Sequence, residues 1–393
     1  MLKKSLLVLL LAAALRAILF SASARADRFA YVVNNYPGDE TLSKINLSTG
    51  EVVNDIETLG ESANQIVIQG DFAYVVNSLD HNIQITDLKT ETTVGYIIIG
   101  EPRNPFHMAF MDSQYAYVTN LMTNTISKVD VINRTVVGEY EVGVAPEGLL
   151  VLGNKLYVCC TGYEFAAYRR IAGRDWVFDP THRANDVKAY RYIAGKVYVF
   201  DVQNDVVLDS IPVGLNPQYL AMDPEGELNV MCTGNYWSVF GKIYRINPTT
   251  NSVIDSIATG GSPGIISIGF DGIGYLAAGG WRPNPGLVYT FDSHADTMLR
   301  GASNPITTHS GVIAVSAFPD SKVFTCNFDA DDVTLLNSSG TLLETYLVGN
   351  GPVSIGFYPP LSHQVPFLDR IGAIILVVLL ITSSSLILFR KGV

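Results

Sequence analysis

The side chains of this chain best suited to chemistry gather in one stretch and two short satellites. Gly162 to Gly195 carries Arg169, Arg170, Arg174, Arg183, Lys188 and Arg191 against Glu164, Asp175, Asp179 and Asp186. That is a positive excess in a chain of formal charge −11. The same stretch holds Tyr163, Phe165, Tyr168, Trp176, Phe178, Tyr190 and Tyr192. Tyr236 with Trp237, and Trp281 with Arg282, are the satellites, so all 3 tryptophans fall in these segments. Guanidinium beside aromatic faces can fork onto oxygens and stack, which suits a small anionic or glycan ligand. The competing reading is an insertion that packs its rings on its own body. A thinner set is Asn64, Glu147 and Gln218, with His107 beside them; by themselves they read as a polar, water-filled rim, with His107 as a structural hydrogen-bonding residue, since one carboxylate is little for a hard cation. Asp329, Asp331 and Asp332 lack the glycine and distal Glu of an EF-hand loop and read as a solvated acidic turn. No nucleophile elbow, phosphate-cradling loop, metalloprotease motif or cofactor signature is present.

The elements that must position these groups are set by a repeat. Tyr31-Val32-Val33-Asn34, Tyr74-Val75-Val76-Asn77 and Tyr117-Val118-Thr119-Asn120 recur every 43 residues. Weaker copies begin at Tyr157, Asn229, Tyr275 and Phe324. A period in the low forties carried by β-rich segments predicts a β-propeller. Residues 104–143 read as four strands, at 104–111, 114–120, 125–131 and 135–142, separated by turn signals. In the third strand Ile126, Lys128 and Asp130 alternate with Ser127, Val129 and Val131, predicting two distinct faces. Gly–Pro links punctuate the units, as in Gly143 to Pro146 and Gly214 to Pro217. The count is seven four-stranded blades, with Pro352 to Tyr358 supplying the missing first strand of blade 1 and closing the ring. The loops after each second strand then share one face with the channel mouth. Gly162–Gly195 is the blade 4 loop, and Asn64, Phe106, Glu147, Gln218, Gly264 and Val353 open the first strands.

The ends predict where the propeller works. Residues 1–26 read as a secretory signal, with Lys3 and Lys4, an apolar run from Leu6 to Leu15, and Ala24-Arg25-Ala26 before a cleavage site; an uncleaved anchor is the alternative. Residues 27–360 are the propeller and 361–370 a linker. Ile371 to Phe389 is uncharged and, at about 1.5 Å per residue, long enough to span a bilayer. Arg390 and Lys391 in the tail 390–393 point it into the cytoplasm. The acidic balance disfavours nucleic acid as a partner. Cys159, Cys160, Cys232 and Cys326 show no zinc or haem spacing. Export permits disulfides, with Cys160–Cys232 the favoured pair, while buried free thiols are an equal alternative.

On these motifs the repeat resembles the YVTN β-propeller family of surface-layer and periplasmic proteins, over nearly all of residues 27–360. The resemblance implies a seven-bladed ring outside the cytoplasm and leaves function open. Lactonase-type propellers hold a divalent metal with Glu, Asn and Asp at channel-rim positions, and Asn64, Glu147 and Gln218 partly resemble that set. Val365-Pro366-Phe367-Leu368, Gly372 and the basic end resemble a C-terminal sorting signal cut by a membrane transpeptidase; a permanent anchor is the preferred reading. Together these features predict an all-β, exported, membrane-tethered binding module for a small ligand or a surface protein, and no catalysis. The rival classes are a lactonase-like or quinoprotein-dehydrogenase-like enzyme and a structural surface-layer component.

Overall fold

The computed structural model describes residues 28–359, apart from 166–167, 171–175 and 179–189. The expected signal, linker, membrane span and tail lie outside the described residues. Within them the protein is all β, and seven sheets form seven blades. The inner strands are Ala63–Gln69, Pro105–Phe110, Pro146–Leu152, Pro217–Met222, Ile266–Ile268, Val312–Phe318 and Pro352–Tyr358. Each lies beside the inner strand of the next blade around a closed ring. Closure is as expected. Pro352–Tyr358 pairs with Phe29–Tyr36, with Phe29 opposite Tyr358 and Asn34 opposite Pro352. The Tyr358 hydroxyl donates to Asp71 of blade 2, at 2.8 Å, tying the closing strand to the next blade. Blade 6 departs from the pattern, its outer edge being shared between Thr297–Arg300 and Ile306–Thr308.

The repeated phrase has a physical meaning at each end. Its tyrosine is a strut to another blade. The Tyr117 hydroxyl donates to Asp205 at 2.9 Å and that of Tyr157 to the Pro248 carbonyl at 3.1 Å. Its asparagine is a clasp within the blade. Asn34 donates to Thr41 and Ser43, at 3.1 and 2.8 Å, and Asn120 donates to Thr125 and Ser127, both at 2.9 Å. The link glycine completes the clasp, because a Cβ on Gly349 would stand 2.5 Å from Asn34 Nδ2. Two faces do not mean one wet and one dry face here. Ile126, Ser127 and Val129 are all sealed, because blades stack on both sides of each sheet.

Of the two cysteine readings the buried free thiols hold, and the reading of the acidic turn is corrected. The cysteines form no disulfide, and all four are buried thiols. Cys160 and Cys232 replace the clasp asparagine, and each packs against the link glycine of its own blade, Gly143 and Gly214. Tyr198 and Tyr244 crowd the same glycines from the third strand, at the register held by Ser43 in blade 1. The Asp329 group is not a solvated turn. Asp329 accepts from Ser310 Oγ and the Arg282 amide, Asp331 from the Gly351 amide, and Asp332 from Asn327, while His309 also meets Asp332. These contacts tie blade 7 to blades 6 and 1.

Candidate functional site

The blade 4 loop leaves after Lys155–Cys160 and returns at Lys196–Asp201, which pair directly beneath it. Its neck is held by backbone bonds from Gly162 to Val144 and from Ile193 to Gly162, at 3.0 and 2.8 Å. Above the neck the backbone forms two ribbons, Tyr163–Phe165 with Tyr190–Tyr192 and Tyr168–Arg170 with Trp176–Phe178. Arg170 stands opposite Trp176 and Arg169 opposite Val177. The expected pocket between Arg169, Arg170, Trp176, Trp237 and Trp281 lies outside the described side chains.

The satellites are placed fully. Asn235 caps its own turn, its side-chain oxygen accepting from the amides of Trp237, Ser238 and Val239 at 3.1, 2.9 and 2.8 Å. This throws Tyr236 into a left-handed backbone (φ 66°) and leaves Trp237 80% exposed. Trp281 is half exposed and meets Phe328 edge to face, with ring centroids 6.3 Å apart. The Arg282 amide is fixed by Asp329 at 2.9 Å. The two aromatic groups make separate ring contacts, Tyr236 with Trp237 in blade 5 and Trp281 with Phe328 between blades 6 and 7.

A funnel of about 340 Å³ opens, with Phe106, Phe328, Ile313 and Leu79 in its wall and Glu40 and Glu61 at its side. Asn64, Tyr219, Ile265 and Val353 form its neck, and they also line a cavity of about 250 Å³ inside the channel. All seven inner strands contribute to that cavity, and no Lys, Arg, Asp or Glu lines it. His107 lies over Phe106, with ring centroids 5.4 Å apart, and tilts against Tyr219 at 5.0 Å. Burial pushes the imidazole down to about 4, so His107 is neutral at pH 7.

Glu147 stands beside this cavity. Burial pushes its carboxyl up to about 8, opposed in part by a hydrogen bond from Gln218. Its Oε2 is sealed from solvent and has no partner. Gln218 accepts from Thr233 Oγ1 at 2.6 Å and also bonds the Tyr236 hydroxyl, which reaches inward from a half-exposed ring. The structure thus gathers Glu147, Gln218, Tyr219 and Tyr236. Asn64 is separate, its amide engaged by Ser78 Oγ at 2.5 Å. One carboxyl and two amides, with the Gln218 oxygen already accepting from Thr233, do not fit a hard divalent cation. Among the described residues no three of His, Cys, Asp or Glu group as metal ligands.

Sequence reasoning missed Tyr219, whose signal was its place next to Gln218 at a strand opening. It also missed the work of Thr119. That hydroxyl accepts from the His107 amide at 3.0 Å and donates to the Glu147 carbonyl at 2.7 Å, fixing two channel residues at once.

No family model and no curated protein matches this chain. Solved structures do. Hydrazine synthase of Kuenenia stuttgartiensis is 14% identical with a TM-score of 0.59, over 74% of this chain and 88% of that one. A functionally unknown protein of Desulfotomaculum acetoxidans is 14% identical with a TM-score of 0.60, over 84% and 99%. A candidate 6-phosphogluconolactonase of Bacteroides fragilis is 12% identical with a TM-score of 0.60, over 85% and 99%. At such identities the likeness is one of fold, and the chain is a seven-bladed β-propeller similar to these three.

Proposed function

We propose that this protein is an exported, membrane-tethered propeller of the YVTN-repeat type that binds a small extracytoplasmic ligand at its channel mouth. One observation carries the reading: a funnel walled by Phe106 and Phe328 leads to a channel cavity that His107 and Tyr219 line side by side. The tyrosine struts and asparagine clasps support the YVTN assignment, since they explain why that phrase repeats. Lys3, Lys4, the apolar run 371–389 and Arg390-Lys391 support export and anchoring. Arg169, Arg170 and Trp176 belong to the loop best placed in sequence to add contacts above the mouth. A lactonase-like enzyme has less support, because the channel offers one carboxyl and one imidazole rather than a convergent set.

Two experiments test this. Protease added to spheroplasts should digest the propeller and spare an epitope placed after Val393; a protected propeller refutes the topology, and loss of the epitope from mature protein refutes a permanent anchor. Replacing Gly162–Gly195 by an Asn-Gly turn should leave the ring folded and weaken binding in a panel of neutral and acidic sugars. Unchanged binding would remove the loop from the site, and unfolding would make the loop structural.

A further inference from the structure

The funnel above the channel carries charge of one sign only, and naming its ligand class rests on the channel-mouth reading. Glu40 of blade 1 and Glu61 of the link to blade 2 line it, and no Lys or Arg does. A backbone bond brings the two acids together: the Leu59 amide donates to the Glu40 carbonyl at 2.9 Å, and the chain reaches Glu61 two residues later. Glu40 is only 9% exposed. The other acids buried as deeply among the described residues are bonded at both carboxylate oxygens. Asp130 is held by Gln114 and the Asn133 amide, Asp223 by Asn229 and the Glu227 amide, and Asp332 by Asn327 and His309. Glu40 has one bond, its Oε2 accepting from the Gly38 amide of its own hairpin at 3.1 Å. Neither Glu40 nor Glu61 has a cationic side chain as partner among the described residues. A carboxylate so buried ordinarily sits beside a cation or several donors, so the pair points to a ligand that brings positive charge.

Much of the remaining wall is apolar, and its rings are held in place. The Phe328 amide donates to the Gly311 carbonyl at 2.8 Å, and the ring packs on Gly351, where a Cβ would stand 2.7 Å from Cε2. Phe106 lies against His107. We propose that the funnel binds a small organic ammonium ion, its charged end on Glu40 and Glu61 and its apolar body against Phe106 and Phe328. Carboxylate oxygens and aromatic faces both attract such a cation. A volume of about 340 Å³ suits a single ring or a short chain. A hard metal ion fits less well, because it wants several oxygens around it and the phenylalanine wall supplies none. An anion would meet the two carboxylates unscreened, and a neutral ligand would leave Glu40 uncompensated. The chain's formal charge of −11 further draws cations toward the mouth.

Benzylammonium, benzyl alcohol and benzoate share one ring and differ in charge. Each is titrated into the full-length protein in detergent at pH 7 by ligand-observed NMR. Benzylammonium is expected to bind about tenfold tighter than benzyl alcohol, with benzoate weakest. Methylammonium, which lacks the apolar body, should bind more weakly than benzylammonium. Glu40→Gln keeps an oxygen for the Gly38 amide and should weaken benzylammonium about tenfold, and the exposed Glu61→Gln about threefold. Glu51→Gln, an exposed change in the turn at the opposite end of blade 1, should leave it unaltered. Benzyl alcohol binding as tightly as benzylammonium overturns the inference, as does benzylammonium ignoring both Glu40→Gln and Glu61→Gln. Equal losses in Glu51→Gln and Glu61→Gln would reduce the effect to net charge and overturn it too, and calcium displacing benzylammonium mole for mole would make the funnel a metal site instead. If benzoate is the tightest and its binding needs Gly162–Gly195, the channel-mouth reading stands with an anionic ligand and the ammonium class falls. If neither benzylammonium nor the sugar panel binds, both readings fall.

Discussion

Replacing Glu147 by glutamine should remove a specific part of this protein's pH dependence. The carboxyl, ordinarily at 4.5, is pushed up to about 8 in the folded protein, mainly by burial. Between those values the native state holds a proton that the unfolded chain has lost. Stability therefore falls as pH rises through that window and levels off above it. Below the lower value both states are protonated, and the group contributes nothing to the slope. At about 1.4 kcal/mol for each pH unit, the full interval corresponds to roughly 5 kcal/mol. Part of the Glu147 side chain remains accessible although Oε2 is sealed, so roughly 2–4 kcal/mol is the reasonable expectation. Glutamine has nearly the shape of the neutral acid and cannot ionise. Urea titrations of both proteins at a series of pH values give the measurement, since all other titrating groups cancel in the difference. The glutamine variant should gain on the wild type steadily from about pH 5 to 8, then run parallel. Curves that stay parallel across the whole range would show Glu147 ionised at pH 7. The account of a channel flank without charge would then be wrong.

Three further outcomes follow from the fold. Deleting Pro352–Tyr358 should open the Phe29–Tyr36 edge, giving aggregates by size exclusion, whereas a monomer with wild-type melting would contradict strand closure. Asn120→Ala removes the bonds to Thr125 and Ser127 and should cost about 1–3 kcal/mol in urea unfolding; a neutral result would deny the clasp. Burial raises the thiols of Cys159, Cys160, Cys232 and Cys326, so a thiol reagent should label none of them in the native protein and all four in guanidinium.

Much of the architecture was legible because a propeller is a repeat, and a repeat advertises itself. The four strands expected in residues 104–143 appear within a residue or two, as Pro105–Phe110, Tyr115–Asn120, Thr125–Asp130 and Thr135–Glu141. The closing strand was legible from a missing first strand. The choice between paired and free cysteines, and the partners of the acidic turn, were not, because each depends on contacts between segments apart in sequence. Cys160 and Cys232 share a repeat position, yet each faces the glycine of its own link, so equivalence in sequence kept them apart in space. Asp329 and Asp331 looked solvated because their partners, Arg282 and Gly351, belong to other blades or links.

The candidate site divides along the same line. The sequence by itself determined the ring, the face that carries the loops, and the concentration of aromatics there, because these follow from local periodicity and from where it breaks. It also placed Glu147, His107 and Gln218 at strand openings. Only the tertiary structure decided their chemistry. Seven strands far apart in sequence converge on one axis, and their mutual burial seals Oε2 of Glu147 and lowers the basicity of His107. That convergence also brings Tyr219 against His107 across a 5.0 Å ring contact. Charge state and partnership depend on dielectric surroundings and on distances between blades, and a linear pattern carries neither.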